Sequence, residues 1–111
     1  MATGIRTVIY PVSDLARAKE FFGALLGTGP AHDAPYYVQF DVEGQNIGLD
    51  PHGHRDGPVG YVHVDDVPKA LAALLEAGGS TVQEPRDVGG GTLVATVRDP
   101  DGNLVGLRQA P

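Results

Sequence analysis

An internal repeat restricts the folds open to this chain of 111 residues more than any other feature of its sequence. The segment Val38-Gln39-Phe40-Asp41 recurs 58 positions later as Thr96-Val97-Arg98-Asp99, and Ile47-Gly48-Leu49 recurs at the same offset as Val105-Gly106-Leu107. Self-similarity of this kind indicates two copies of one structural module. One copy has a single open-faced sheet and too little core to fold alone, so we expect the two copies to pack side by side.

The second copy ends in a predicted β-hairpin around the turn Asp99-Pro100-Asp101-Gly102. Asp99 suits the first turn position because its carboxylate can accept local backbone hydrogen bonds. Pro100 has the φ that the second position needs, and Gly102 tolerates a positive φ. The runs on both sides have strand character, and the first copy predicts a similar hairpin with strands over 36–41 and 45–50.

Each copy also predicts one amphipathic helix that begins after an aspartate N-cap. Asp14 and Asp66 each precede apolar residues at helical spacing, and Pro68 fits the first turn of the second helix, where a missing N–H costs nothing. Glycines end both helices. Further strands are predicted over 5–12, 59–64 and 81–84, with loops over 28–35, which has room for a short strand, and over 85–91.

The predicted fold class is therefore α+β, with two tandem βαβββ modules. We predict a single domain over 1–111, with modules at 5–50 and 59–109 joined by a Gly- and Pro-rich linker at 51–58. The modules are expected to form a curved mixed sheet with the helices outside and a concave cup on the other face, where a ligand could bind.

Composition excludes several classes of protein. The net charge of −6 disfavours nucleic acids and anionic membranes as partners. The absence of cysteine excludes disulfides, thiolate metal sites and a cysteine nucleophile. The sequence contains neither an apolar run long enough to span a membrane nor an N-terminal signal core, so we predict a cytoplasmic protein.

Three features together resemble the vicinal oxygen chelate superfamily, and the resemblance covers 5–109. They are the doubled βαβββ pattern, Val12-Ser13-Asp14-Leu15 before a helix containing Phe21-Phe22, and the late Asp99-Pro100-Asp101-Gly102-Asn103 turn. The superfamily includes glyoxalase I, extradiol dioxygenases, fosfomycin-resistance enzymes and bleomycin-resistance proteins. Since its members commonly form dimers, the resemblance implies a homodimer. The same scaffold carries many chemistries, so the fold alone does not name the function.

The resemblance also implies where a divalent metal would bind. Enzymes of the superfamily usually carry a His or Gln ligand on the first strand of each half and a Glu ligand on the last strand. The matching positions here are Thr7 and Val59 on the first strands, and Gly48 and Gly106 on the last. A metal site needs several N, O or S donors that converge on one point. We therefore predict no metal, no other cofactor and no catalytic residue.

Strand alternation predicts which side chains line the cup, because successive side chains point to opposite faces of a sheet. The side chains predicted for the other face, which would form the core, are almost wholly apolar: Val8, Tyr10, Val12, Ile47, Leu49, Val62, Val64, Val105 and Leu107. Gly48 and Gly106 are expected either to leave the cup floor open or to ease packing and curvature of the sheet. The predicted ligand-binding residues are Thr7, Ile9, Tyr37, Gln39, Asn46, Gly48, Asp50, Val59, Tyr61, His63, Leu104, Gly106 and Arg108.

The predicted function is metal-free binding of a small organic molecule, similar to the bleomycin-resistance branch, which sequesters an antibiotic without chemistry. One alternative is a metal-dependent lyase, isomerase or dioxygenase with displaced ligands such as His63, Asp50 and a loop histidine. A second is a metal-free enzyme with His63 or Tyr61 as the base. A third is a module whose cup is filled by its own side chains. The pair His52 and His54 is predicted to lie in a solvated loop.

Overall fold

Both helices begin where the sequence supplies an N-cap carboxylate. In the structure, a computed structural model that describes residues 2, 4–52 and 57–111, helix α1 is Leu15–Leu26 and helix α2 is Val67–Glu76. The carboxylates of Asp14 and Asp66 accept hydrogen bonds from the backbone N–H three residues later, at 3.2 and 3.0 Å. Each bond satisfies one of the amide donors that the first helical turn leaves free, which confirms both predicted starts.

Eight strands accompany the two helices. The order of elements along the chain is twice βαβββ, which confirms the predicted α+β fold class. No helix among the described residues is long and apolar enough to cross a membrane. The strands are β1 (Ile5–Pro11), β2 (His32–Ala34), β3 (Tyr37–Val42), β4 (Gln45–Asp50), β5 (Val59–His63), β6 (Ser80–Asp87), β7 (Leu93–Arg98) and β8 (Leu104–Gln109).

The chain divides into two units, each with its own helix. The first unit comprises 7–59, and its strand order is β2-β3-β4-β1, with β1 parallel to β4 and the other pairs antiparallel. The second unit comprises 60–111 together with the described residues of 1–6. Its strand order is β5-β8-β7-β6, with β5 parallel to β8 and the other pairs antiparallel.

The core of each unit lies between its helix and one face of its strands. In the first unit, Val38, Phe40 and Leu49 are almost completely buried and pack with apolar residues of α1. In the second unit the buried cluster is Val67, Leu71, Ala95, Val97 and Leu107. The predicted core residues that pack in these clusters are Tyr10, Val12, Ile47, Leu49, Val64, Val105 and Leu107, whereas Val8 and Val62 are half-buried and lie outside both clusters.

The late hairpin closes through the predicted aspartate turn. The Asp99 carboxylate accepts from the backbone N–H groups of Asp101 at 2.9 Å and Asn103 at 2.8 Å, and Gly102 has a φ of 90°. The side-chain amide of Asn103 also donates to this carboxylate at 3.0 Å. These hydrogen bonds, that of the Asn103 side chain first, hold the pKa of Asp99 below its ordinary value.

The two hairpins are not related by the constant offset that the sequence suggested. Gly48 pairs with Gln39, whereas Gly106 pairs with Thr96, so the equivalent of Thr96 is Gln39 and not Val38. The first hairpin turns in two residues between its last paired positions, and the second turns in five. The predicted match of the upstream strands is therefore wrong by one residue.

Strand β6 is longer than predicted. It extends from Ser80 to Asp87 and includes Pro85, which the sequence placed in a loop. Its pairing with β7 shifts register between Thr81 and Gln83 and again between Gln83 and Arg86. A register shift next to Pro85, on the last strand of its unit, removes the need for an N–H at that position.

Candidate functional site

The predicted ligand-binding residues of the second unit lie on the face opposite its helix. Tyr61 pairs with Gly106 and His63 pairs with Arg108 across the parallel strands β5 and β8. Paired residues of neighbouring strands point to the same face of a sheet, and the intervening Leu107 belongs to the core beneath α2. The structure therefore brings these four residues together.

A corresponding group forms on strands β1, β3 and β4 of the first unit. Thr7 pairs with Asn46 and Ile9 pairs with Gly48 across the parallel strands, while Gln39 pairs with Gly48 from the other side. The Thr7 side chain is almost completely buried, and its hydroxyl accepts a hydrogen bond from the Asn46 amide at 3.5 Å. The sequence thus identified one coherent face in each unit.

Gly48 is covered by side chains of its own unit. A Cβ atom at this position would lie within 3.0 Å of Tyr37 Oη, Tyr37 Cε1 and Ile9 Cδ1. The Tyr37 hydroxyl donates to Gln39 Oε1 at 3.0 Å, and the Gln39 amide donates to Asp41 at 2.8 Å, so a chain of polar groups holds the tyrosine in place. Gly48 makes room for Tyr37, which is a close approach that only glycine permits.

Gly106 is covered in the same way by Tyr61. A Cβ atom at Gly106 would lie within 3.0 Å of ring atoms Cγ, Cδ2 and Cε2 of Tyr61, at nearly equal distances. Near-equal distances to three adjacent ring carbons mean that the face of the ring, and not its edge, lies on the glycine. The expectation that both glycines leave the cup floor open is therefore wrong, because tyrosine side chains occupy that space.

The residues at the four positions where superfamily enzymes carry metal ligands do not fit a divalent ion. The buried Thr7 offers only a neutral hydroxyl that already bonds to Asn46, and the equally buried Val59 offers no donor. At Gly48 and Gly106 the space that a carboxylate would need is filled by tyrosine. In the part of the chain that the structure describes, no three His, Asp or Glu side chains come together as a metal site would require.

His63 lies in a positively charged environment. Burial, followed by the charges of Arg108 and Arg6, holds the pKa of His63 below its ordinary value. The backbone N–H of His63 donates to the carbonyl of Gly4 at 3.1 Å, which places the start of β1 beside β5 within the second unit. The imidazole is therefore mostly neutral at pH 7 and can accept or donate a hydrogen bond.

The remaining predicted residues have local roles. The Asp50 carboxylate accepts from the backbone N–H of the exposed His52 at 2.7 Å, just after β4. Leu104 is half-buried and pairs with Arg98 where the second hairpin begins. Of the histidine pair predicted in the linker, His54 lies outside the described residues.

The family of the chain follows from its match to the model of the Glyoxalase/Bleomycin resistance protein/Dioxygenase superfamily, which extends over residues 4–107. The chain belongs to this superfamily. Among curated relatives, it is 30% identical over 120 residues to a probable chloroplastic lactoylglutathione lyase of Arabidopsis thaliana, covering 86% of this chain and 32% of the relative. It is also 30% identical over 127 residues to a putative lactoylglutathione lyase of Brassica oleracea var. gemmifera, covering 92% and 43%. The chain thus spans less than half the length of these relatives.

Solved structures of the superfamily share the fold. A Streptomyces coelicolor methylmalonyl-CoA epimerase variant in complex with 2-nitronate-propionyl-CoA matches with a TM-score of 0.81 at 18% identity, over 99% of each chain. The Mn(II)-bound glyoxalase from Novosphingobium aromaticivorans matches with a TM-score of 0.70 at 26% identity, over 97% of this chain and 39% of that one. These similarities establish the fold, and the family model establishes the superfamily.

Two residues that affect the surroundings of the candidate site were not predicted from the sequence. Thr96 is completely buried, pairs with Gly106 on the face opposite the helix, and its Oγ1 atom has no hydrogen-bond partner among the described residues. The one-residue error in the repeat offset concealed it, because it aligned Thr96 with the core residue Val38. Arg6 was missed because strand alternation counted from Thr7 places it on the opposite face; only its effect on the pKa of His63 identifies it.

Proposed function

We propose that this chain binds a small organic molecule, and that it does so without the divalent metal that enzymes of the superfamily hold. The observation that carries the proposal is the covering of both glycines. Tyr61 lies over Gly106, and Tyr37 with Ile9 lies over Gly48. The two positions where relatives present carboxylates are therefore used here to seat aromatic rings.

The side chains around the two tyrosines support ligand binding. Small-molecule sites combine apolar and aromatic surface with a few polar groups that fix orientation. Tyr61 and Tyr37 are half-buried, so part of each aromatic side chain stays accessible, and Gln39, His63 and Arg108 are half-buried neighbours with polar ends. The bleomycin-resistance branch, which sequesters an antibiotic, remains the model for this function, and we extend the proposal to a cytoplasmic homodimer that binds neither nucleic acid nor membrane.

Metal analysis tests the metal-free part of the proposal. Protein purified without chelator should contain only substoichiometric transition metal, and addition of Mn²⁺, Ni²⁺, Co²⁺ or Zn²⁺ should leave its melting temperature unchanged. The matched variant is Thr7→Val. It removes the side-chain oxygen found at the four positions that match the metal ligands of superfamily enzymes, and it keeps the side-chain volume. A stoichiometric metal in the parent protein that is lost from Thr7→Val would refute the metal-free proposal.

Ligand screening tests the binding part. A ligand that binds only the folded state at 100 times its Kd stabilises that state by about 2.7 kcal/mol, which a thermal shift detects readily. A library of neutral, cationic and anionic small molecules should therefore contain compounds that raise the melting temperature. Failure of every compound would instead favour a module whose own side chains fill the predicted cup.

A second candidate function is the activity in the names of the curated relatives, lactoylglutathione lyase. Their 30% identity to this chain favours it, although it requires metal ligands displaced to residues such as His63 and Asp50. The test is an assay of lactoylglutathione formation and breakdown with added divalent metals, on the parent protein and on His63→Asn. Turnover that disappears with His63→Asn would favour this candidate, and turnover without any metal would favour a base role for His63.

A further inference from the structure

Two basic side chains are grouped in the second unit. His63 and Arg108 are register partners on the parallel strands β5 and β8, so both side chains leave the same face. The hydrogen bond from the His63 backbone to Gly4 brings the start of β1 alongside, and the charge of Arg6 acts on His63 together with that of Arg108. The Arg108 guanidinium beside His63, with the charge of Arg6 near the opposite face, makes this a site of positive potential.

This basic group contrasts with the rest of the chain. The protein has 14 acidic and 8 Lys or Arg residues, yet no carboxylate within the described segments forms an ion pair or hydrogen bond with Arg6 or Arg108. An arginine that lies beside a histidine and has no acidic partner is a favourable place for an anionic ligand to bind. The guanidinium group also matches carboxylate and phosphate geometry with two parallel hydrogen bonds.

The positive group adjoins a flat aromatic surface. Tyr61 precedes His63 by two residues on the same strand and face, and one side of its ring lies on Gly106. Because Tyr61 is only half-buried, its ring also has accessible surface. On the neighbouring strand, Thr96 is completely buried beside Gly106.

We propose that the ligand of this chain is a flat organic anion whose carboxylate or phosphate group binds to Arg108 and His63 while its ring packs against Tyr61. The inference rests on the proposed function and deepens it, because it names the chemical class of the ligand. In this proposal the charged group of the ligand fixes its orientation, and the ring of the ligand supplies the contact area with Tyr61. Arg108 is the principal binding residue, since it pairs in register with His63 and has no acidic partner in the described chain.

Matched probe molecules test this assignment by calorimetric titration of the full chain at constant ionic strength. Benzoate and phenyl phosphate carry the anionic group, benzamide has the same ring without the charge, and inorganic phosphate has the charge without the ring. We expect at least one aromatic anion to bind about tenfold more tightly than benzamide and than inorganic phosphate. The better of the two aromatic anions identifies the preferred charged group.

Two arginine variants separate a local contact from general electrostatics. Arg108→Gln should weaken binding of the aromatic anion about tenfold and leave benzamide unchanged. Arg86→Gln removes the same charge from an exposed position on β6 of the same unit and should leave both affinities unchanged. A thermal melt of each variant confirms that it remains folded.

The outcomes distinguish this inference from the proposed function. Equal affinity for benzamide and benzoate, or an Arg108→Gln variant that binds anions as the parent does, would overturn the anion assignment while ligand binding stands. Absence of binding by all four probes would also overturn it, whereas the proposed function would still be decided by the library of neutral and cationic compounds. Equal losses in Arg108→Gln and Arg86→Gln would show that only the overall charge matters and would refute a specific site.

Discussion

The aromatic ring of Tyr61 lies face-on against Gly106, its register partner on the adjacent parallel strand. The first unit contains an equivalent arrangement, in which Ile9 is the register partner of Gly48 and shares the space above it with Tyr37. The two covered positions differ in which atoms lie close. At Gly106 these are ring carbons near the Tyr61 backbone, and at Gly48 they include the ends of two side chains. This difference has a measurable consequence.

Replacement of Gly106 by alanine should destabilise the fold more than replacement of Gly48. The near atoms include Cγ, so Tyr61 must change its rotamer or shift its strand to clear a new methyl group, and we expect Gly106→Ala to cost about 1–3 kcal/mol, the usual range for an overpacked site. The Tyr37 hydroxyl and Ile9 Cδ1 can move by rotation of side chains, so Gly48→Ala should cost less. Urea unfolding of both variants measures the difference.

A double-mutant cycle tests whether this cost comes from Tyr61. In the background of Tyr61→Ala the methyl group of Gly106→Ala meets no ring, so its destabilising effect should largely disappear. An unchanged cost in that background would show that backbone conformation, and not the ring, demands glycine at position 106.

The two-residue turn of the first hairpin should be improved by an Asn at position 43. Glu43 has a φ of 48°, and Gly44 has a φ of 82°, the positive pair that a type I′ turn requires. A residue with a long side chain is strained by roughly 1 kcal/mol in this region, whereas Asn tolerates it. We expect Glu43→Asn to raise the free energy of unfolding by about 0.5–1 kcal/mol, and thermal melts would measure it.

The matched control for this turn is Glu43→Gln, which removes the charge and keeps the strain. Its stability should stay within about 0.5 kcal/mol of the parent. If Glu43→Gln stabilises as much as Glu43→Asn, then charge and not backbone conformation explains the gain.

The side chain of Gln109 should be required for full stability of helix α2. Its Oε1 atom accepts a hydrogen bond of 2.7 Å from the backbone N–H of Val67, the first residue of that helix. This N–H has no acceptor within the helix, so Gln109→Ala should cost about 1 kcal/mol, as the loss of an N-cap does. Gln109→Glu keeps an acceptor oxygen and should retain most of the stability. Equal losses in the two variants on chemical denaturation would contradict this role.

Stability should fall on mild acidification because of His63. Its pKa is lowered in the folded state by burial and by Arg108 and Arg6, so the unfolded chain takes up a proton first as the pH falls. The loss should begin near the ordinary histidine value of about 6.5 and level off below the lowered folded value. His63→Asn should reduce this part of the pH dependence, measured by urea unfolding between neutral and mildly acidic pH.

Arg108 supplies the control for this pH dependence. Arg108→Gln removes one of the two charges that oppose protonation, so the pKa of His63 should rise toward its ordinary value and the acid-induced loss should shrink. A direct titration of the His63 ring protons by NMR would detect that rise. An unchanged pKa in Arg108→Gln would mean that burial and Arg6, without Arg108, set the protonation of His63.

Features that depend on adjacent residues were predictable from the sequence. Asp14 and Asp66 begin helices because an N-cap needs only a carboxylate and the next three residues, and the Asp99 turn closes for the same local reason. The correct alignment of the two hairpins was not predictable. The second hairpin has one more residue between Thr96 and Gly106 than the first has between Gln39 and Gly48, and the sequence on both sides of the turn still matches at the wrong offset. Strand β6 was underestimated because a register shift depends on its partner strand and not on its own sequence.

The sequence predicted which residues share a face of each unit, but not how their side chains are arranged. Counting alternate residues from Thr7, Gly48 and Gly106 predicted which side chains share a face of the sheet. This works because each side chain of a strand points to one of only two faces. Which side chain lies above a glycine depends on rotamers of residues on neighbouring strands, so the cover by Tyr37 and Tyr61 could not be inferred. The effect of Arg6 on His63 depends on the start of β1 lying beside β5, which is a contact between distant segments.

The Tyr61 ring over Gly106 also limits which single substitutions could introduce a metal-binding carboxylate. A single substitution to glutamate there would meet the Tyr61 ring before it could approach any ion, so introducing a carboxylate needs a prior loss of that ring. Two mutations in a fixed order are much rarer than one. Directed evolution toward metal-dependent chemistry from this scaffold should therefore start from libraries that vary residues 61 and 106 together.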